Sequence, residues 1–324
     1  MMRDLTEWHG KRYYSLDAWC KNNYGKKLYK IAIDAGFTCP TRDGRIGTKG
    51  CIFCSQAGSG DYACSLSTNP EASSISPQIQ KGLSLFQKKP SKDCLFIAYF
   101  QAFTNTYAPV ETLERIYRIA LDTPQVVGIS IATRPDCLGA DVLSLLHELQ
   151  VQYPDKFIWI ELGLQTIHEA SASYIRRGYP LSVFDNALMQ LKELSIPVIV
   201  HVILGLPGED DYAMYETIEY LNRCSPFGLK LQLLHVLQGT DLAADYVAGK
   251  FEVLSVEHYL RLLIGCMERL SPQIVLHRVT GDGPKNQLIA PLWSLNKRQV
   301  LNELQHQMKL SDSFQGKLFV QRRK

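Results

Sequence analysis

Apolar residues along this chain follow two alternating patterns. In the first, they run almost without interruption for seven or eight residues, as in strands buried on both faces of a sheet. These predicted strands are Ile31–Phe37, Cys94–Phe100, Val126–Ala132, Phe157–Gly163, Pro197–Leu204 and Gly228–His235. In the second, they recur every three or four positions, which predicts helices. These are Ser76–Lys88, Val110–Asp122, Asp141–Gln150, Leu181–Leu194, Asp210–Cys224, Glu257–Leu270 and Lys297–Leu310.

The alternation of strands and helices defines the expected fold. Strand–helix units of about 35 residues predict an α/β protein with a parallel sheet and right-handed crossovers. Six units favour an open, partial (βα)6 TIM barrel, because a closed eight-unit barrel needs about 250 residues. A Rossmann-type sheet is the alternative, but no Gly-x-Gly-x-x-Gly follows the first strand.

Two flanking segments complete the predicted organisation. Residues 1–28 form a short N-terminal helical cap, with an aromatic-rich helix over Asp17–Tyr24 that has its N-cap at Ser15 or Asp17. Residues 29–255 form the barrel. Residues 256–324 form a C-terminal helical extension that closes it.

A loop with three cysteines follows the first predicted strand. Cys39, Cys51 and Cys54 lie on a polar, glycine-rich stretch, and thiolates favour zinc, copper(I) or iron–sulfur clusters. Structural zinc normally takes four ligands, and Cys64 is the nearest fourth candidate. Three cysteines instead hold three irons of a four-iron cube and leave the fourth iron open. Spacing alone leaves the open-iron cluster, a zinc site and plain thiols as alternatives.

Composition narrows the class of protein. Its 324 residues are 46% hydrophobic and 21% charged, as in an ordinary soluble enzyme. No apolar run approaches the roughly 20 residues of a membrane span, and the N-terminus has no secretory h-region. Nine cysteines, an odd number, fit reduced thiols better than a disulfide framework. We therefore expect a cytoplasmic protein.

The charge is mild overall but uneven. The net charge is +3 and the pI about 8.3. Residues 1–50 nevertheless carry ten Lys/Arg against five Asp/Glu, and the chain ends in Arg322-Arg323-Lys324. Such a basic face beside the cysteine loop is able to meet phosphates. A solvated, lysine-rich surface is the alternative interpretation.

The cysteine loop resembles that of the radical S-adenosylmethionine (SAM) superfamily. Most members of that superfamily carry Cys-x-x-x-Cys-x-aromatic-Cys, and this chain keeps the second half as Cys51-Ile-Phe53-Cys54. Its first gap holds eleven residues instead of three. Long first gaps occur in the branch similar to the elongator catalytic subunit, which modifies the wobble uridine of transfer RNA.

Further motifs of that branch or of the superfamily follow the ends of predicted strands, except for the last one named below, which lies in a later polar stretch. They are Cys39-Pro-Thr-Arg-Asp-Gly44, Thr133-Arg-Pro-Asp136, Glu161-Leu-Gly-Leu-Gln165, Gly205-Leu-Pro-Gly-Glu209 and His277-Arg-Val-Thr-Gly281. In barrels, the carboxyl ends of strands carry the chemistry. Because these motifs are spread from residue 39 to residue 281, the resemblance extends over almost the entire chain.

The resemblance implies roles for individual residues. Cys39, Cys51 and Cys54 would bind a [4Fe–4S] cluster, and the residues implied in holding SAM are Phe53, Gln101, Thr104, Thr133, Arg134, Glu161, Gln165, Arg176 and Gly205. Gln101 and Thr104 stand where relatives have Gly-Gly-Glu for the SAM amino group. His201 and Arg278 are the catalytic candidates. The structural alternatives are that His201 is a core histidine with satisfied hydrogen bonds, that residues 277–285 form a structural loop, and that Asp136 caps a helix.

The implied activity is reductive cleavage of SAM to a 5′-deoxyadenosyl radical that abstracts hydrogen from a substrate. The implied reaction converts 5-carboxymethylaminomethyl(-2-thio)uridine in the anticodon region of tRNA to the 5-aminomethyl form. An electron donor such as flavodoxin or ferredoxin would be a partner, and the oligomeric state is not given. The rivals are a radical SAM enzyme with a small-molecule or peptide substrate, and a non-catalytic zinc-binding barrel that serves as an interaction protein.

Overall fold

The computed structural model describes residues 8–56, 58, 74–86, 94–281 and 283–320. Cys64, most of the stretch Gly58–Ala63, Asp282 and residues 321–324 lie outside the described residues. None of the helices in the described ranges is long and apolar enough to cross a membrane.

Up to Leu233, helix separates each strand from the next, as the apolar pattern predicts. The strands are β1 (Leu28–Ile33), β2 (Leu95–Phe100), β3 (Val126–Thr133), β4 (Phe157–Gln165), β5 (Val198–Leu204), β6 (Gly228–Leu233), β7 (Val236–Leu237), β8 (Val275–Arg278) and β9 (Leu288–Ala290). The helices are α1 (Leu16–Tyr24), α2 (Ile75–Ser84), α3 (Val110–Leu121), α4 (Ala140–Gln152), α5 (Glu169–Tyr174), α6 (Leu181–Glu193), α7 (Asp211–Cys224), α8 (Asp241–Val247), α9 (Val256–Arg269) and α10 (Lys297–Leu310).

Seven of these strands form one sheet in the order β1-β2-β3-β4-β5-β6-β8. The pairs β1–β2, β2–β3, β3–β4, β5–β6 and β6–β8 are parallel. The predicted α/β partial barrel is therefore confirmed, with one strand more than the six predicted. The extra strand, β8, has only four residues, and its half-polar sequence gives no strand signal. β7 and β9 form a separate antiparallel pair.

The described chain divides into two compact units. The first unit contains residues 27–163 and 178–198, and therefore β1, β2, β3 and most of β4. The second contains the residues up to 26, residues 164–177 and the chain from 199 onward. These units differ from the three segments predicted from the sequence, and those boundaries remain a prediction.

The sheet of the first unit has one face covered by helix and one inner face. Ile31 lies against α2, where a side chain at Gly82 would overlap it. Lys30 and Ala32 point to the opposite, inner face, because successive strand residues alternate. Residues paired in parallel register share a face. Ala32 pairs with Tyr99, Tyr99 with Ser130, and Ala132 with Glu161. The inner face therefore carries Lys30, Tyr99, Ser130 and Glu161.

In the second unit, α1 and the residue before it pack beside β8. Ser15 caps α1 by accepting a hydrogen bond from the Ala18 N–H, which confirms one of the two predicted caps. Ser15 also forms a parallel bridge with Leu276 of β8. The predicted terminal helix matches α10 at both ends. Beyond it, Gln315 donates its backbone N–H to the Arg12 carbonyl.

The first strand is displaced from its predicted position. β1 begins three residues before Ile31 and ends at Ile33 instead of Phe37. The backbone N–H of Asp34 donates to the side chain of Gln78 on α2, and Gly36 adopts a positive φ of 76°. These contacts turn the chain out of the sheet before the cysteine loop begins.

Candidate functional site

The long loop between Cys39 and Cys51 is folded back on itself by backbone hydrogen bonds. Ile46 and Gly47 donate their N–H groups to the Pro40 carbonyl, at 2.8 and 3.3 Å. Gly50 donates to the Thr41 carbonyl at 2.8 Å. Because Gly50 is tied to Thr41, the chain returns to the vicinity of Cys39 before it reaches Cys51. The eleven-residue gap therefore replaces the usual three-residue gap with a closed loop.

Arg42 fastens this loop to the segment after Cys54. Its Nη2 atom donates to the carbonyls of Cys54 and Ser55, at 3.2 and 2.6 Å. Its guanidinium also lies 5.3 Å from the centroid of the Phe103 ring. The side chain passes so close to Gly50 that an added Cβ would lie 2.8 Å from Nε. The sequence motif contains Arg42, but sequence reasoning assigned it no role.

The cysteine thiols lie in a positive environment. A hydrogen bond between Cys54 and Cys51 lowers the pKa of Cys54 and raises that of Cys51. Charges of nearby arginines, Arg42 for both thiols and Arg134 for Cys51, act to lower these pKa values. The Sγ atom of Cys39 is 3.1 Å from the hydroxyl of Thr41. These surroundings therefore favour the thiolate form, which metals bind, at Cys54 and disfavour it at Cys51.

In the described chain, no three His, Cys, Asp or Glu side chains converge on one point as ligands of a single metal ion. Each cysteine of a four-iron cube binds a different iron, so its sulfurs need not share one point. Three cysteines on a single loop with arginine charges nearby are compatible with such a cluster. Phe53, which lies between Cys51 and Cys54 in the sequence, is half-buried.

The segment after β2 is strained and holds two buried polar atoms. Ala102 and Phe103 both have a positive φ, of 70° and 55°. In the described part of the chain, Thr104 Oγ1 and Asn105 Oδ1 are buried and have no hydrogen-bond partner. Strained backbone and unsatisfied polar atoms are concentrated at functional sites. Gln101, half-buried, precedes them.

At the end of β3, Arg134 is held rigidly in place. It makes a forked contact with Asp136, with Nε and Nη2 at 2.9 and 2.7 Å from the two carboxylate oxygens. Its guanidinium lies 4.9 Å from the Tyr179 ring centroid. Asp136 therefore pairs with Arg134, and the N-cap of α4 is Gly139 instead. The helix-cap interpretation of Asp136 is wrong. Thr133 bonds to the hydroxyl of Thr106 at 2.5 Å.

Glu161 is fully buried on the inner face and is paired, as its location in an apolar strand requires. Its Oε1 atom accepts hydrogen bonds from Lys30 Nζ at 3.1 Å and Ser130 Oγ at 2.7 Å. The Lys30 ammonium also lies 4.6 Å from the centroid of the Tyr99 ring. Sequence reasoning missed Lys30. Its one signal is a lysine between apolar residues of β1.

The remaining candidates belong to the second unit. Gln165 has a positive φ of 68°, and its Oε1 is buried without a partner among the described residues. Arg176 forms an ion pair with Asp241. Gly205 has φ 86°, and a Cβ there would lie 3.0 Å from the Leu254 side chain. Gly205 therefore occupies a turn that favours glycine.

Both catalytic candidates lie in a row of basic side chains. His201 of β5 pairs in register with Lys230 of β6, which pairs with Arg278 of β8. His277 and Arg278 are residues of β8, so the loop interpretation of residues 277–285 is wrong for these two residues. Lys230 is 2% exposed and was missed, although it interrupts an apolar strand.

Two family descriptions match this sequence. The radical SAM superfamily matches residues 43–221, and the radical SAM C-terminal domain matches residues 226–310. The first match includes Cys51 and Cys54 and begins four residues after Cys39.

Relatives cover the chain to different extents. The uncharacterized protein YtqA of Bacillus subtilis (strain 168) is 41% identical over 95% of this chain and 93% of its own length. A tRNA uridine(34) acetyltransferase of Dehalococcoides mccartyi is 29% identical over 49% of this chain and 34% of its own length. Among solved structures, an N-terminally truncated archaeal Elp3 of Methanocaldococcus infernus aligns with TM-score 0.66 and 14% identity. That alignment covers 89% of this chain and 64% of the Elp3 chain, and supports the fold.

Proposed function

The chain belongs to the radical SAM superfamily, and on this premise we propose that it modifies the wobble uridine of tRNA. The proposed reaction converts 5-carboxymethylaminomethyl(-2-thio)uridine to 5-aminomethyl(-2-thio)uridine. The observation that carries the choice of substrate is the sequence similarity to tRNA uridine(34) acetyltransferase over 161 residues. The chain spans about a third of that relative, so only the substrate class is taken from it.

Family membership makes the chain an enzyme with a [4Fe–4S] cluster and SAM as cofactors. Membership of this family also argues against the alternative of a non-catalytic zinc-binding barrel. When bound, these cofactors supply one-electron cleavage of a sulfonium and, through it, abstraction of a substrate hydrogen. The residues that would hold the cluster are Cys39, Cys51 and Cys54. Their loop, closed by its own hydrogen bonds, fits that task.

The side chains around the loop would hold SAM and exclude water. Thr104 and Asn105 offer buried oxygen atoms that accept hydrogen bonds, and an ammonium group needs such acceptors. Arg134 keeps its charge near Cys51 because Asp136 and Tyr179 fix its guanidinium. Phe53 contributes an aromatic face beside the cysteines. These roles are supported by the unsatisfied polar atoms and by the charges of the site.

The second unit would supply further ligand contacts. Gln165 offers a buried carbonyl oxygen, and Gly205 leaves main chain exposed where a side chain would not fit. The row of His201, Lys230 and Arg278 gives the unit a basic strip on one face of its strands. Lys230 is buried, so His201 and Arg278, which are partly exposed, are the members that would reach an anionic group such as a nucleic-acid phosphate.

The proposal is tested by mass spectrometry of nucleosides. Protein reconstituted without oxygen is supplied with SAM, a reductant such as flavodoxin or ferredoxin, and tRNA that carries 5-carboxymethylaminomethyluridine. We expect 5-aminomethyluridine to appear and the starting nucleoside to decline. If the tRNA stays unmodified although SAM has been consumed, this result would contradict the proposal and favour a small-molecule or peptide substrate.

A further inference from the structure

The Lys30–Glu161 pair lies below a partly exposed region of the inner face in the first unit. On β1 and β4, which carry the pair, the next inner-face position toward the carboxyl end is small: Ala32 follows Lys30, and Gly163 follows Glu161. Ala132 stands in the same position on β3. These small residues are partly exposed, whereas Glu161 is fully buried. The space above the pair is therefore accessible from the end of the sheet where barrels bind ligands.

Lys30 retains the capacity to bind a ligand. An ammonium has three N–H donors, and Glu161 Oε1 accepts one of them. The Tyr99 ring faces the same nitrogen at 4.6 Å to its centroid. The Lys30 side chain is 25% exposed, so a further donor is able to reach a molecule in the open space. The contacts with Glu161 and Tyr99 hold the Lys30 ammonium in one position.

We propose that Lys30 binds the carboxylate of the carboxymethylamino group of the substrate and so determines specificity. This inference rests on the proposed function, in which the substrate carries that carboxylate and the product lacks it. A carboxylate is the group that an ammonium recognises by a charge-assisted hydrogen bond. Glu161 is a positioning residue in this scheme, because it aims Lys30 rather than contacting the substrate.

Two molecules at this site carry a carboxylate, namely the substrate and the methionine part of SAM. Binding measurements separate them. The probes are two anticodon stem–loop RNAs that carry either 5-carboxymethylaminomethyluridine or 5-methylaminomethyluridine at the wobble position. SAM is titrated separately. The quantity compared is the ratio of the two RNA Kd values, measured on protein that contains its cluster.

We expect wild-type protein to bind the carboxylate RNA about tenfold or more tightly than the methyl RNA. Lys30→Met is expected to bring the ratio to about one, and Lys30→Arg, the control that keeps the charge, to retain most of the preference. Lys30→Gln preserves a donor to Glu161 without the charge and serves if the methionine variant does not fold. Melting temperature and iron content verify that each variant is folded and loaded.

Each remaining outcome contradicts the inference in a distinct way. A preference that persists in Lys30→Met and Lys30→Gln overturns it. A weakened Kd for SAM with unchanged RNA preference assigns Lys30 to the SAM carboxylate and also overturns it. Equal binding of both RNAs by the wild type overturns the inference and leaves the proposed function standing. No binding of either RNA overturns both.

Discussion

Replacement of Arg42 by alanine tests whether the closed cysteine loop is what prepares the chain for its cluster. The substitution removes both hydrogen bonds from the guanidinium to the carbonyls of Cys54 and Ser55. It also removes the contact with the Phe103 ring. The cysteines themselves are unchanged. Any loss of cluster therefore reports on the positioning of the loop.

The magnitude follows from these contacts. A hydrogen bond from a charged donor contributes about 1.5–3 kcal/mol, and an exposed cation–π contact about 0.5–1 kcal/mol. One of the two hydrogen bonds is long, at 3.2 Å, and Arg42 is half-buried. We therefore take about 3 kcal/mol for the closed loop. This energy corresponds to about a hundredfold weaker retention of the cluster.

The assay is iron and sulfide content after anaerobic reconstitution, followed by challenge with increasing concentrations of an iron chelator. Arg42→Ala should lose its cluster at about a hundredfold lower chelator concentration than the wild type. Arg45→Ala is the matched control. Arg45 lies on the same loop, is exposed, and contacts the Tyr107 ring at 5.7 Å. Equal retention by the Arg42 and Arg45 variants would refute the reasoning.

Three further substitutions have defined outcomes. Gly50→Ala places a Cβ 2.8 Å from Arg42 Nε at a φ of 71°. Cluster retention should therefore decrease, as in the Arg42 variant, and unchanged retention would contradict this. Gly128→Ala overlaps the Phe157 ring, and overpacking should lower stability by about 1–3 kcal/mol in thermal denaturation, with an unchanged melting temperature as the opposing result. Tyr117→Phe removes a buried hydroxyl that donates to a carbonyl of the segment after β2. The free energy of unfolding, measured by urea denaturation, should decrease by about 1 kcal/mol. A decrease near zero would show that this bond contributes nothing.

Most of the fold is predictable from local patterns of apolar residues in the sequence. β2, β3 and β5 were predicted to within one residue at each end because each is a continuous apolar run. α10 was predicted at both ends because polar residues bound its periodic stretch. β8 was missed because four residues become a strand only through pairing with β6. β1 was displaced because its end depends on Gln78, 44 residues from Asp34.

The residues of the candidate site also fall into those that local sequence predicts and those that depend on distant partners. The cysteine spacing and the strand-end motifs pointed to the correct superfamily, because these residues are adjacent in sequence. Lys30 was missed because its partner Glu161 is 131 residues away. Arg42 was missed because its partners are backbone carbonyls, which no motif displays. Lys230 was overlooked within an apolar strand, where a single charged residue is the one signal available.

The most direct test of the account is the production of 5′-deoxyadenosine by reconstituted protein kept free of oxygen and supplied with SAM and dithionite. We predict that the wild type produces it, whereas alanine variants of Cys39, Cys51 and Cys54 do not. Cys224→Ala, which changes a cysteine at the end of α7, should produce it as the wild type does. Iron-loaded wild-type protein that yields no 5′-deoxyadenosine, or loop-cysteine variants that yield as much as the wild type, would contradict the central claim.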